Sequence, residues 1–348
     1  MTSGFSEFQS KANQAGVSAY ATFQIVMPVY NDWESLSLLL PRVDEQLLSI
    51  GVRADVLVVD DGSTTAPPSS WSLNLTGIQT IRILQLKRNV GHQRAICIGL
   101  CFLADACDCE RVMVMDGDGE DDPADIPRLC KELQGNDAAR IVFAERLKRS
   151  EGMVFSFFYA LYRLAHWILV GHRVRVGNFS VMSRECLESL CVSPEMWNHY
   201  AAAVYAVRQP KAFVPTRRAQ RLAGTSTMNF PALVTHGLSA LSVFSDRIST
   251  RLLIVSIIVG FATAAVMLVV ALLRLTTGYV VSGWGAMIGG AVLLFLVQII
   301  VLVFTFCFLV LITRGQNPFI PAREYRFFVW RCTDVWHVGT ADAGGDAG

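Results

Sequence analysis

The sequence predicts an α/β domain built on a mostly parallel sheet, followed by two membrane-spanning helices. Three observations carry this expectation. Short β-branched runs alternate with amphipathic stretches of helical length between residues 23 and 144. Acidic or glycine-bearing turns close several of those runs at the same end. Beyond Arg251, two long stretches are almost free of charge.

Phe23 to Val29 reads as a buried strand, and a helix follows from about Glu34 to Ser49. Ala54 to Val59 is a second strand, closed by the turn signal Asp60-Asp61-Gly62-Ser63. Thr80 to Leu86 is a third strand and Gly91 to Ala106 a helix. Arg111 to Met115 is a fourth strand, ending at Asp116-Gly117-Asp118. A helix over Ala124 to Leu133 precedes a strand at Arg140 to Ala144. Alternation at this spacing gives a parallel sheet with helices on both faces, whose ligands bind at the carboxyl ends of the strands.

Leu252 to Leu273 is uncharged between Arg251 and Arg274; as a helix it spans roughly 33 Å, enough for a bilayer core. Thr276 to Gly285 carries turn residues, and Ala286 to Ile312 is apolar again. Arg247, Arg251, Arg314, Arg323, Arg326 and Arg331 flank the pair on one side, against Arg274 in the connecting loop. The positive-inside rule then places the large domain and both termini in the cytosol, a multi-pass arrangement. Tyr279 and Trp284 suit the opposite interface, and Gln298 is expected to bond a neighbouring helix. Met153 to Val170 contains Arg163 and His166, so it reads as an amphipathic helix rather than a third span.

Composition sets outer bounds. The 348 residues are 52% hydrophobic and 17% charged with a net charge of +1, which implies no bulk attraction to nucleic acid. Nine scattered cysteines, none at metal-finger spacing, suit a reduced compartment. Cys97, Cys101 and Cys307 fall in apolar helical patterns, as small hydrophobes do. The first twenty residues lack an apolar core and are expected to be a flexible N-terminus, not a signal peptide.

The chemistry gathers at the predicted strand ends. Carboxylates at Asp116 and Asp118, with Glu120 beyond, can converge on one hard cation whose remaining positions a diphosphate fills. Mg²⁺ or Mn²⁺ there would neutralise a departing nucleoside diphosphate. A lone D-x-D triplet is common in surface loops; following a fourth strand, behind two other strand-end motifs, it is specific.

MPVYND (27–32), VVDDGST (58–64), LKRNVGHQRA (86–95) and VMDGDGEDDP (114–123) together resemble the ordered signatures of inverting family 2 glycosyltransferases of the GT-A fold. With two C-terminal membrane helices, the chain looks most like the polyisoprenyl-phosphate glycosyltransferases, the dolichol-phosphate mannose synthase group. The resemblance implies that Pro28, Tyr30, Asp32, Asp60 and Asp61 hold the base and ribose, with Arg88 and Gly91 near the donor and Asp116 on its diphosphate. It implies a metal at Asp116, Asp118 and Glu120. Arg146, Arg149, Arg218 and Arg221 would contact an acceptor phosphate, Arg218 and Arg221 from a mobile basic loop around residues 218–226. A basic patch on lipid headgroups is the competing reading of that loop. His92 is expected to make a helix-start hydrogen bond.

Gly177-Asn178-Phe179-Ser180 falls where many relatives read Gly-Asp-Phe-Arg, so a carboxylate proposed for catalysis is here an amide. Asparagine is no general base; a hydroxyl acceptor would need one elsewhere, such as Asp121 or Asp122, whereas a lipid phosphate needs none. The catalytic expectation therefore rests on Asp118, Asp116, Asn178 and Arg221. The expected reaction moves one sugar from a nucleotide-sugar, a UDP-sugar by general likeness, to a polyprenyl phosphate at the cytosolic bilayer surface. The alternatives are a glycolipid or polysaccharide acceptor, or a non-catalytic nucleotide-sugar-binding module. The expected organisation is a flexible segment 1–20, a catalytic domain 21–229, an interfacial amphipathic helix 230–249, a transmembrane hairpin 250–313 and a cytosolic tail 314–348. Homo-oligomerisation is left open.

Overall fold

The computed structural model describes residues 22–68, 73–135, 140–146, 170–171, 176–224, 230–277, 283–315 and 319–338. The chain divides into two compact units, the first holding residues up to 150, 174–239 and 319–348, the second 151–173 and 240–318. The expected amphipathic helix at 153–170 lies almost wholly outside the described residues.

The first unit is an α/β domain on one sheet of eight described strands. These are β1 (Phe23–Val29), β2 (Ala54–Asp60), β3 (Ile78–Leu86), β4 (Arg111–Val114), β5 (Ile141–Arg146), β6 (Val176–Ser183), β7 (Lys211–Thr216) and β8 (Val329–His337). Their spatial order is β7-β5-β6-β4-β1-β2-β3-β8. β1, β2, β3 and β4 run parallel, as does the β5–β7 pair. β6 lies antiparallel to both β4 and β5, and β8 antiparallel to β3. The mostly parallel sheet is thus as expected, with β6 inserted antiparallel and β8 added antiparallel at one edge. Residues 329–337, assigned in sequence to a tail, are instead the strand that covers β3.

Every residue of β1 and β2 is buried, because helices close both faces; this is why those strands read as unbroken apolar runs. On one face α1 (Trp33–Ser49) packs Leu36, Leu39, Leu40, Val43 and Leu47 against Ile25, Met27, Val56 and Val58. On the other, α2 (His92–Ala106) packs Ile96, Cys97, Leu100 and Leu103 against Val26, Leu57 and Val59. Cys97 and Cys101 serve there as small core residues. α3 (Ile126–Gly135), α4 (Arg184–Cys191) and α5 (Tyr200–Ala206) also belong to this unit. At the amino-terminal end of the strands, Gln24 and Arg82 both bind the buried Asp55 carboxylate, at 3.0 and 3.3 Å. The register pairs Val29 with Asp60, and Val26 with Val114, so the loops after β1, β2 and β4 emerge side by side.

A helix α6 (Phe230–Ser242) runs across the boundary between the units. The second unit is dominated by α7 (Ser245–Thr277) and α8 (Gly283–Gly315), which pack on one another. Within them Ser245–Leu273 and Gly289–Ile312 are long and apolar enough to cross a membrane, and few of their residues are buried. Gln298 lies on an exposed face of α8. The side chains of Arg274, Trp284 and Arg314, and all of Tyr279, fall outside the described residues.

Candidate active site

The loop after β1 is held by Asn31, which adopts a left-handed φ of 58°. Its Oδ1 accepts from the backbone N–H of Thr64 at 2.9 Å and of Thr65 at 3.1 Å, tying the β1 loop to the β2 loop. Trp33 Nε1 donates to Thr65 O at 3.0 Å, a second tie. Sequence pattern alone passes over Asn31, although its place between Tyr30 and Asp32 in MPVYND marks it. Pro28 is buried in β1, while Tyr30 points outward, 39% exposed.

Asp60 and Asp61 both bind backbone. Asp60 Oδ1 accepts from Ser63 N at 2.8 Å. Asp61 is buried and accepts from Val90 N at 2.7 Å and Gly91 N at 2.9 Å, fixing the turn into α2. Burial raises the Asp61 carboxyl to about 6, although both N–H groups pull it down. Gly62 (φ 70°) lets Arg88 and Asn89 approach: a Cβ there would sit 2.6 Å from Asn89 N. Arg88 itself is exposed beside this turn.

His92 opens α2 and faces Asp116, with Nε2 3.1 Å from Asp116 Oδ1. Burial disfavours its charge, but Asp116, Asp118 and Asp121 outweigh that and raise the imidazole above its ordinary value. The expected helix-start role thus becomes a carboxylate contact across to β4. Asn178, on β6, places Nδ2 2.9 Å from His92 Nε2 and 3.3 Å from Asp116 Oδ1. Asp121 is buried and accepts from Asp116 N at 3.1 Å, and Asp122 accepts from Ala124 N at 3.0 Å, so both support the backbone locally.

Arg221 bridges two strand ends. Its Nη1 lies 3.0 Å from Asp118 Oδ2, and its Nη2 pairs with Asp32. Arg218 pairs with Glu120, so Glu120 is turned to that guanidinium rather than grouped with Asp116 and Asp118. The backbone locks the same contact: Leu222 N donates to Asp118 O at 3.1 Å and Ala219 N to Glu120 O at 3.0 Å. Ser35 Oγ donates to Ala223 O at 3.1 Å. Leu222 rests over Gly119 (φ 81°), where a Cβ would lie 2.5 Å from Leu222 Cγ. The glycine of D-G-D-G-E is therefore the seat of the basic loop, a role that spacing alone does not reveal. Burial, and then the charge of Asp116, raises the Asp118 carboxyl, while Arg221 pulls it down.

Among the described residues no three His, Cys, Asp or Glu side chains form a metal-binding group. The donor set nevertheless fits a hard divalent cation completed by a diphosphate: the charge of Asp116 raises the Asp118 carboxyl, and a cation between them would relieve that repulsion. Of the expected site residues, Asp32, Asp116, Asp118, Asn178 and Arg221 come together, with Glu120 and Arg218 at the margin. Arg146 ends β5 with its side chain outside the described residues, as is all of Arg149.

Residues 24–191 match the family model for Glycosyl transferase family 2. The dodecaprenyl-phosphate galacturonate synthase of Rhizobium johnstonii is 31% identical over 37% of this chain, and the match spans only 37% of that relative's length. The prophage bactoprenol glucosyl transferase homolog of Escherichia coli is 26% identical over 70% of this chain and 80% of its own. Among solved structures, mannosyl-3-phosphoglycerate synthase from Rubrobacter xylanophilus superposes with a TM-score of 0.48 at 16% identity, covering 70% of this chain and 77% of that one, too loose a likeness to bear on function. The motifs at the strand ends and the family match coincide on the same residues, and the first unit carries a family 2 glycosyltransferase domain with a GT-A-like sheet.

Proposed function

We propose that this protein transfers a single sugar from a nucleotide-sugar, a UDP-sugar, to a polyprenyl phosphate at the cytosolic face of a membrane, with inversion at the anomeric carbon. The observation that carries the proposal is the Asp32–Arg221–Asp118 bridge across two strand ends, beside Asp116. It sets a cationic side chain against the acidic groups suited to a metal–diphosphate, where an anionic acceptor must also approach. The names of relatives that act on dodecaprenyl phosphate and bactoprenol supply the acceptor class.

In this reading Asp116 and Asp118 would hold Mg²⁺ or Mn²⁺, which when bound would supply charge neutralisation to the leaving diphosphate. Asp32 and the 28–32 and 60–64 loops position the nucleoside, and the N-terminal turn of α2 offers backbone N–H groups to the donor. Arg221, which bridges Asp32 and Asp118, and Arg218, which pairs with Glu120, are the cationic groups that would receive the acceptor phosphate. No residue need remove a proton, since a phosphate nucleophile is already anionic; the amide at position 178 agrees with that acceptor. The protein's contribution is positioning and charge stabilisation. α7 and α8 anchor the enzyme where its lipid substrate resides, both crossing the bilayer with the termini in the cytosol, as the flanking arginines favour.

Asp118→Ala in the purified full chain should abolish transfer of radiolabelled sugar to polyprenyl phosphate while leaving the thermal unfolding midpoint within a few degrees. Retained transfer would remove Asp118 from the mechanism. Chromatography of the lipid product separates one sugar on one phosphate from an extended glycan, which would instead favour a polysaccharide acceptor.

A further inference from the structure

Beneath Asp116 lies a chain of buried amides whose orientation is set by a main-chain N–H. Tyr200 N, at the start of α5, donates to Gln93 Oε1 at 2.8 Å. A backbone N–H can only donate, so the Gln93 oxygen must face it and the Gln93 amino group must face the other way. That amino group donates to Asn178 Oδ1 at 3.0 Å. Asn178 is thereby forced to present Nδ2 outward, 3.3 Å from Asp116 Oδ1 and 2.9 Å from His92 Nε2. A second set of contacts fixes the Asn178 backbone: Ser180 Oγ donates to Asn178 O at 2.8 Å, which leaves Ser180 Oγ to accept from Tyr200 OH at 2.7 Å. Gln93, Asn178, Ser180 and Tyr200 are all buried, so the arrangement is closed to competing water.

We propose that Gln93 and Asn178 are positioning residues whose amide chain, oriented by Tyr200 N–H, aims an Asn178 N–H at Asp116 and fixes that carboxylate for the divalent cation. The inference rests on Asp116 being a metal ligand, as read above. It also gives Asn178 a task that an aspartate could not perform: a carboxylate at 178 would accept from Gln93 but set like charge against Asp116. The amide in GNFS is a donor by construction, and the glutamine two residues before Ala95 in LKRNVGHQRA is what makes it so. Partners that orient metal ligands from behind commonly change metal affinity by about tenfold to a hundredfold when removed.

The test is Mn²⁺ binding alone, followed by electron paramagnetic resonance on the detergent-solubilised full chain. Wild type and Asp116→Ala establish whether Asp116 holds the ion. Gln93→Met keeps length but removes both hydrogen bonds of the amide, and Asn178→Ser shortens the reach to Asp116. Each is expected to weaken Mn²⁺ binding by about tenfold to a hundredfold, with a folded thermal transition. Should Gln93→Met fail to fold, the smaller Asn178→Ser change carries the test. A purely structural role would lower the unfolding midpoint and leave Mn²⁺ affinity at the wild-type value, which overturns the proposal. If Mn²⁺ binding ignores Asp116→Ala, the reading of Asp116 itself fails. If Asp116→Ala abolishes binding while both amide variants bind normally, only the positioning role is lost.

Discussion

The two units use the same apolar residue types in opposite surroundings. In the sheet, Leu57 and Ile25 are wholly buried; in α7 and α8, Ile258 is 61% and Leu294 73% exposed. The sheet domain satisfies its side chains against itself, whereas the helix pair leaves most of its apolar surface exposed, and both helices are long and apolar enough to cross a membrane. Hydrophobicity alone therefore does not separate the two settings; the fraction of each run that is buried does. Charge is concentrated where the sheet ends, and there it is paired.

Substitutions of equal chemistry should separate the units most sharply. Leu57→Ala is expected to cost about 2–5 kcal/mol, the range for emptying a closed core, while Leu294→Ala in detergent should stay within about 0.5 kcal/mol. Denaturant unfolding followed by tryptophan fluorescence measures both, and equal losses would break the contrast.

Next in size is Asp61. Its carboxyl stands at about 6 when folded against an ordinary value of 3.8, so the folded protein binds the proton more tightly. Stability from this group therefore falls as pH rises from about 3.8 to about 6, by at most about 3 kcal/mol for a shift of this size. Comparing pH-dependent unfolding of wild type with Asp61→Asn isolates it: the difference between them should change across that window, and a flat difference contradicts the assignment.

The smallest expected effect concerns the seat of the basic loop. Gly119→Ala adds a Cβ against Leu222 at a positive φ and should cost about 1–2 kcal/mol. Leu222→Ala should recover part of that loss, giving a coupling between the two sites in a double-mutant cycle.

Much of this was legible in the sequence. The first five strands and their helices follow from period and turn chemistry, and β1 to β4 end within two residues of their expected limits because their runs are buried and bounded by polar turns. Local pattern does not predict β6, β7 or β8. β7 contains Pro215 at a sheet edge, and β8 mixes Trp330, Arg331 and Asp334 into a strand covered from one side. Its partner β3 is more than two hundred residues away in the chain, and such pairing leaves no local trace. The acidic residues of the site announced themselves as motifs. Gln93 and Leu222 did not, because each acts through a contact that only folding creates.

The position of β8 also orders the molecule's birth. The edge of β3 can be covered only after α7 and α8 have been made, since the covering strand is encoded beyond them. A ribosome thus releases β8 only after both long helices, and until then the nascent domain presents an open edge to its neighbours. Chains stopped short after residue 318 would keep that edge permanently.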